Sequence, residues 1–200
     1  MKKMLLLVLL CGCFQITKAQ KFKAGVFAGI AASQISGDNL SGFNKPGLFA
    51  GVFTNIFFKE KYGLQLELYY IQKGSRKVAK NGNLDTYKLN LQYIEMPLLF
   101  KWNFAKRFYL EVGPALGVLM KTSGVEKDYG GVIPNSKIQE FNRFDYCVVG
   151  GLGIHINKHF KVNIRGENSF IPVRKPILNS SMPDRLQYNS SLLLSLIYQI

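Results

Sequence analysis

The sequence predicts an all-β fold, an eight-stranded antiparallel up-and-down transmembrane β-barrel with short periplasmic turns and longer outer loops. Three observations predict it. Apolar residues recur with a period of two along almost the whole chain, as in strands with one apolar and one polar face. The connections alternate long and short, an asymmetry typical of outer-membrane barrels. The polar rows mix carboxylates, cations and glycines, as a narrow and internally paired lumen requires.

The first 19 residues stand apart from this pattern. Lys2 and Lys3 precede an apolar run from Met4 to Leu10 and on to Phe14, followed by Thr17-Lys18-Ala19. This is the layout of a secretory signal cleaved before Gln20, leaving a barrel domain over 20–200. A competing reading makes Leu10-Cys11-Gly12-Cys13 a lipobox with Cys13 lipidated, although Cys11 fits that motif poorly. Loss of the leader's three lysines lowers the net charge from +14 to +11 and leaves Cys147 as the sole cysteine. An intramolecular disulfide and a cysteine metal site are both excluded for such a chain.

From Gln20 the strands follow in order. Phe22, Ala24, Val26, Ala28 and Ile30 form the first apolar row, opposite Lys21, Lys23, Gly25, Phe27 and Gly29. A polar segment over Ser33–Lys45 leads to a second row, Leu48, Ala50, Val52, Thr54, Ile56 and Phe58. The turn Lys59-Glu60-Lys61 precedes Leu64, Leu66, Leu68 and Tyr70, and Gln72–Thr86 reads as a long basic loop.

The fourth strand lies within Tyr87–Phe104, and at roughly 16 residues it far exceeds the ~5–6 of ordinary strands. Its apolar parity flips after Tyr93, from Tyr87, Leu89, Leu91 and Tyr93 to Ile94, Met96, Leu98, Phe100 and Trp102. A β-bulge is the expected cause, and Pro97, which has no N–H, suits one. The remaining rows are Phe108–Met120, Phe144–Ile156, Phe160–Phe170 and Leu192–Ile200, separated by Lys121–Asn142, Asn157–His159 and Pro172–Gln187. Tyr69, Tyr70, Tyr87, Tyr93, Trp102, Phe104, Phe108 and Tyr109 fall near strand ends and are expected in aromatic girdles.

Hydrophobic content of 48% excludes disorder, while no internal apolar run approaches the ~18 residues of a membrane helix. The basic residues are scattered and no recognition motif accompanies them, so nucleic acid is not an expected partner. The polar rows place Glu67, Glu95, Arg107, Glu111, Arg165 and Glu167 in an expected lumen charge network, with Lys161 nearby. A basic loop of Lys73, Arg76, Lys77, Lys80 and Lys88 is expected to face outward. His155 should point into the barrel near its periplasmic end and His159 sits in a turn, so neither is placed for rim catalysis. No Walker, zinc or dinucleotide motif is present, and no catalytic, cofactor or metal residues are assigned. The bland alternative is a soluble lipocalin-like carrier, with apolar rows inside.

The stretch LQYIEMPLLFKW, through Tyr93, Glu95, Pro97, Leu98 and Lys101, resembles the signature strand of the PorT-like outer-membrane β-barrel family of Bacteroidetes. AGVFAGI after the leader and FYLEVGPALGVL at Phe108–Leu119 resemble the same family. The resemblance implies an eight-stranded barrel in the outer membrane, in contact with its lipid. Some members of that family are associated with type IX secretion and gliding. The expected function is therefore a non-catalytic barrel anchoring a secretion or envelope complex; the alternative is a small-ligand binding or transport module at the outer mouth.

Overall fold

The structure, a computed structural model, describes residues 22–38, 42–77, 88–125, 127–128, 131–132, 141–174 and 186–200. The expected leader, with its cleavage site and Cys13, lies outside the described residues, as do Lys80 and Tyr87. Eight strands close the barrel: β1 (Phe22–Ser36), β2 (Lys45–Phe57), β3 (Tyr62–Arg76), β4 (Lys88–Trp102), β5 (Phe108–Val125), β8 (Phe144–His155), β9 (Phe160–Ser169) and β10 (Tyr188–Gln199). Two short strands, β6 (Lys127–Asp128) and β7 (Gly131–Val132), pair off the barrel between β5 and β8. Each barrel strand pairs antiparallel with its sequence neighbour, and β1 pairs with β10 to complete the ring.

The short turns gather at one end, the periplasmic end by the usual rule for such barrels. They are tightly bonded: Phe58 N donates to Tyr62 O at 3.0 Å and Ile156 N to Phe160 O at 2.9 Å. In the last of them the Asn157 Oδ1 accepts from the backbone N–H groups of His159 and Phe160 at 2.9 and 2.7 Å, which fixes the turn through an Asx side chain.

The outer wall is apolar. Val26, Ile30, Leu48, Val52, Leu66, Leu68, Met96, Leu98, Val112, Val148, Ile164, Leu194 and Leu196 are all exposed. A soluble carrier would bury these rows and expose their partners, so the lipocalin-like alternative is excluded by the direction in which the side chains point. At the periplasmic edge an aromatic chain runs Tyr62, Trp102, Phe104 and Phe108, with ring centroids 6.4, 5.9 and 6.2 Å apart. Tyr70, and Tyr146 packed 6.3 Å from Phe170, mark the other edge. Tyr69, Tyr93 and Tyr109, expected in the girdles, instead face inward and are buried.

The parity flip on the fourth strand has a different cause from the one expected. β4 alternates without interruption: Leu89, Leu91, Tyr93, Glu95, Pro97, Leu99 and Lys101 all point in, and Lys88 through Trp102 on the even positions all point out. What changes at Tyr93/Ile94 is the surroundings. Below it the outward row is Ile94, Met96, Leu98, Phe100 and Trp102, facing lipid. Above it the outward row is Lys88, Asn90 and Gln92, facing water, and the inward row turns apolar. From Ile94 to Trp102 the strand runs roughly 27 Å at ~3.4 Å per residue, about enough for a tilted crossing. A register shift does occur at Gln92/Tyr93 of the β4–β5 ladder. Because Gln92 pairs with Lys121 and Tyr93 with Leu119, the extra residue is Met120 on β5. Pro97 leaves its mark differently: the β3–β4 pairing lapses between Leu66↔Leu98 and Tyr69↔Glu95, with no change of register.

The barrel therefore rises past the membrane. β1, β3 and β5 continue into segments expected as loops, reaching Ser36, Arg76 and Val125. Their continued pairing, such as Gln72↔Gln92 and Asn90↔Ser123, extends the wall into water. In this extension the barrel interior is an ordinary hydrophobic core, in which Ile35, Ile71, Leu89, Leu91 and Tyr93 pack together.

Candidate functional site

Within the membrane the lumen is filled by two hydrogen-bonded charge clusters. The lower one centres on Arg165 of β9. Its Nη1 and Nη2 donate to the two oxygens of Glu67 at 2.7 and 2.6 Å, and its Nε donates to Glu111. A guanidinium gripping one carboxylate with both terminal nitrogens has fixed orientation as well as charge. Lys101 lies 3.2 Å from the other Glu111 oxygen and donates to Gln65 at 2.9 Å, and its ammonium sits 4.0 Å over the Tyr109 ring. Asn163 completes the cluster with a 2.6 Å bond to Glu111.

The upper cluster centres on Lys73 of β3. Its ammonium contacts Glu95 at 2.6 Å, Asp145 at 3.8 Å and Glu167. Tyr69 donates to Glu167 at 3.2 Å, while Ser169 and Asn189 donate to Asp145 at 2.6 and 2.7 Å. Both clusters are almost completely buried. On the β1–β3 side, Phe27, Phe49 and Tyr69 pack with centroids 5.7 to 6.0 Å apart, Tyr69 edge to face with both phenylalanines, and occupy the remaining width.

The expected network of Glu67, Glu95, Glu111, Arg165 and Glu167 is thus brought together in the lumen. Arg107 is not: it is exposed in the turn before β5, one residue ahead of the first strand residue, and there it offers its backbone carbonyl to His155 N at 2.7 Å. Lys73 also departs from expectation, since it belongs to the lumen and not to the outer basic loop. The signal was present in the sequence, because Lys73 continues the odd-numbered inward row of Glu67, Tyr69 and Ile71. Arg76 and Lys88 are exposed at the outer end, as expected, and Lys77 is half-buried there.

The signature strand is largely inward as well. Tyr93, Glu95, Pro97 and Lys101 face the lumen, and Leu98 faces lipid. His155 is half-buried at the periplasmic end, 3.4 Å from Asn103 Oδ1, and His159 lies in its turn, bonded to Gln199 O at 3.0 Å.

Glu95, Asp145 and Cys147 converge closely enough to suggest a cation site. Lys73 already supplies that cation, with its ammonium 3.8 Å from the Cys147 sulfur as well as bonded to the carboxylates. An ion there would have to displace a paired ammonium, so the residues present do not fit a metal.

Side chains crossing the lumen at two levels leave no continuous aqueous path among the described residues. Planar-bilayer recordings of the reconstituted protein are expected to show no single-channel steps. Sustained ohmic conductance from the unmodified chain would contradict the plugged lumen.

A closed ring of eight strands, apolar outside and ion-paired inside, defines a transmembrane β-barrel of the outer-membrane type. The chain belongs to the outer membrane protein beta-barrel domain family, whose model matches residues 15–174. It is an integral protein of the outer membrane. Among curated proteins none matches its sequence. Among solved structures it is similar to neisserial surface protein A, at 13% identity and a TM-score of 0.54 over 88% of this chain and 96% of that one. It is also similar to Ail, the attachment invasion locus protein of Yersinia pestis, crystallised with the heparin analogue sucrose octasulfate. That match has 14% identity and a TM-score of 0.50 over 90% of this chain and 99% of Ail.

Proposed function

We propose that this protein is a plugged barrel serving as a rigid surface-binding module, taking an anionic ligand at its outer mouth. The observation that carries this reading is the charge of the outer rim. Arg76, Lys121 and Arg143 are exposed there, whereas Asp38 at the same end is half-buried. Exposed cations on a rigid rim favour a multivalent anion, because several weak contacts act together. The plugged lumen supports binding over transport. Ail, of similar fold, has been crystallised with a polysulfated sugar, which makes that compound a suitable probe.

The reading as an anchor for a secretion assembly of the type IX kind draws on the likeness to PorT-like proteins. The residues carrying that likeness are mostly turned into the lumen, where Glu95 pairs with Lys73 and Lys101 with Glu111, and there they are unavailable to a partner protein. Their arrangement supports a structural role for the signature, so the binding reading is preferred.

Titration of the detergent-folded protein with sucrose octasulfate is expected to show binding that weakens with added salt. The triple charge reversal R76E/K121E/R143E should weaken it by roughly tenfold or more, since each exposed pair contributes ~0.2–1 kcal/mol. Absence of binding, or equal binding by the triple variant, would refute the reading.

A further inference from the structure

Two recesses meet on the outside of the barrel, at the level where lipid gives way to water. One is an apolar groove of about 480 Å³, whose lining includes Ile30, Ala32, Pro46, Leu48, Leu192 and Leu194. The other is a cavity of about 310 Å³ lined by Lys45, Pro46, Gln72, Lys88, Asn90 and Ser123. Pro46 and Gln72 line both, so the recesses are continuous. The groove belongs to the lipid-facing rows of β1, β2 and β10. The cavity stands one step above them, beside the water-facing extension of β4 and β5.

Lys45 makes the cavity unusual. It is only 3% exposed, yet its ammonium has no hydrogen bond or ion pair among the described residues; the Ser33 hydroxyl bonds its backbone carbonyl instead. The charged group that acts on it is another cation, Lys88. Among the described residues every other buried lysine is partnered: Lys73 and Lys101 by carboxylates, Lys161 by Gln199 at 2.6 Å. A buried cation beside a second cation is unfavourable unless an anion joins them. Gln72, Asn90 and Ser123 add neutral donors around the same space.

We propose that the joined recesses bind a phosphate-bearing lipid of the outer leaflet, with one acyl chain along the groove and the phosphate between Lys45 and Lys88. The two halves select the same amphiphile. An apolar groove alone would accept any lipid tail, and a paired-lysine cavity alone any small anion. Their shared wall at Pro46 and Gln72 joins the recess for the tail to the recess for the headgroup. The cavity adjoins the rim cations, since Lys88 pairs with Arg76 and Ser123 stands two residues from Lys121, and it is the requirement for an acyl chain that separates this site from anion binding at the mouth.

Calorimetric titrations of the folded protein in nonionic detergent test this with three probes. These are a single-chain lysophosphatidic acid, the monoacylglycerol with the same chain, and inorganic phosphate. The lysophosphatidic acid is expected to bind at least roughly tenfold more tightly than either of the others. The K45Q/K88Q variant should reduce it to the level of the monoacylglycerol, and A32W should weaken it by filling the groove. Lys88 is exposed, so K88Q alone keeps the test valid if the double variant misfolds. Equal binding of the monoacylglycerol would show an unselective apolar wall and overturn the proposal. Equal binding of inorganic phosphate would show an anion site without the lipid, and unchanged affinity in K88Q and K45Q/K88Q would exclude the two lysines; either result overturns it.

Discussion

Arg165→Met is expected to destabilise the barrel by about 3–5 kcal/mol, the range for removing one partner of a buried ion pair. The reason is the geometry around it. Arg165 grips both oxygens of Glu67 and also bonds Glu111, and all three side chains are buried in the membrane-spanning lumen. With methionine in place, Glu67 keeps only Gln65 as a donor, and Glu111 keeps Lys101 and Asn163. One carboxylate is then buried without a cation. Arg165→Lys should recover little, because a single ammonium cannot reproduce the two-pronged grip together with the third bond.

The compensating variant separates charge from packing. R165M/E67Q leaves Glu111 paired with Lys101 and removes the orphaned charge, so most of the loss should be regained. Urea titration followed by heat-modifiable migration on gels measures both, with Trp102, the single tryptophan, as a second probe at the periplasmic edge. If R165M matched the unmodified protein, or R165M/E67Q were no more stable than R165M, the lumen network would not hold the barrel as described.

How much of this was legible in the sequence depends on what each pattern reports. The alternation of β1, β2, β8, β9 and β10 located the strands and the lipid-facing rows directly, since a period of two against lipid has one meaning. Glu67, Glu111, Arg165 and Glu167 followed from the same parity, because every other residue of such a strand must share the lumen. The parity flip at Tyr93 was visible but ambiguous. A bulge reverses which side chains point in, whereas crossing an interface reverses which chemistry belongs on each side, and both produce the same string of letters. Lys73 keeps the inward parity of Glu67, Tyr69 and Ile71, but Gly74-Ser75-Arg76 resembles the start of a loop and masks that signal until the pairing with Leu89–Leu91 shows that the strand continues. Arg107 failed in the opposite way, having the right parity but standing before the first paired residue. The pairing of Lys45 with a cavity on the outer wall had no sequence signal, because it depends on where β2 begins relative to β3 and β4.

Gly113→Ala is expected to disrupt the wall severely, while Gly150→Ala and Gly166→Ala leave folding intact. All three glycines are on barrel strands, but their surroundings differ. A Cβ at Gly113 would lie 1.9 Å from the Leu98 carbonyl oxygen and 2.9 Å from its carbon, both backbone atoms of β4. No rotamer change relieves a clash with backbone, so β4 and β5 would have to part. The ladder is already thin at this point, with pairing absent between Pro97↔Ala115 and Phe100↔Val112, where Pro114 also lacks a donor. Overpacking in ordinary cores costs ~1–3 kcal/mol. Opening a seam inside lipid adds backbone groups that have no water to bond, at several kcal/mol each. Gly150 and Gly166 pair across β8 and β9, and a Cβ at either meets nothing within 4 Å, because the space outside is lipid. The comparison is refolding yield into detergent micelles, read from the heat-modifiable band. G113A should lose most of that band, and G150A and G166A should match the parent. Full folding of G113A would show that β4 and β5 do not approach as closely as drawn. Failure of the other two would mean that the β8–β9 wall contacts something other than lipid.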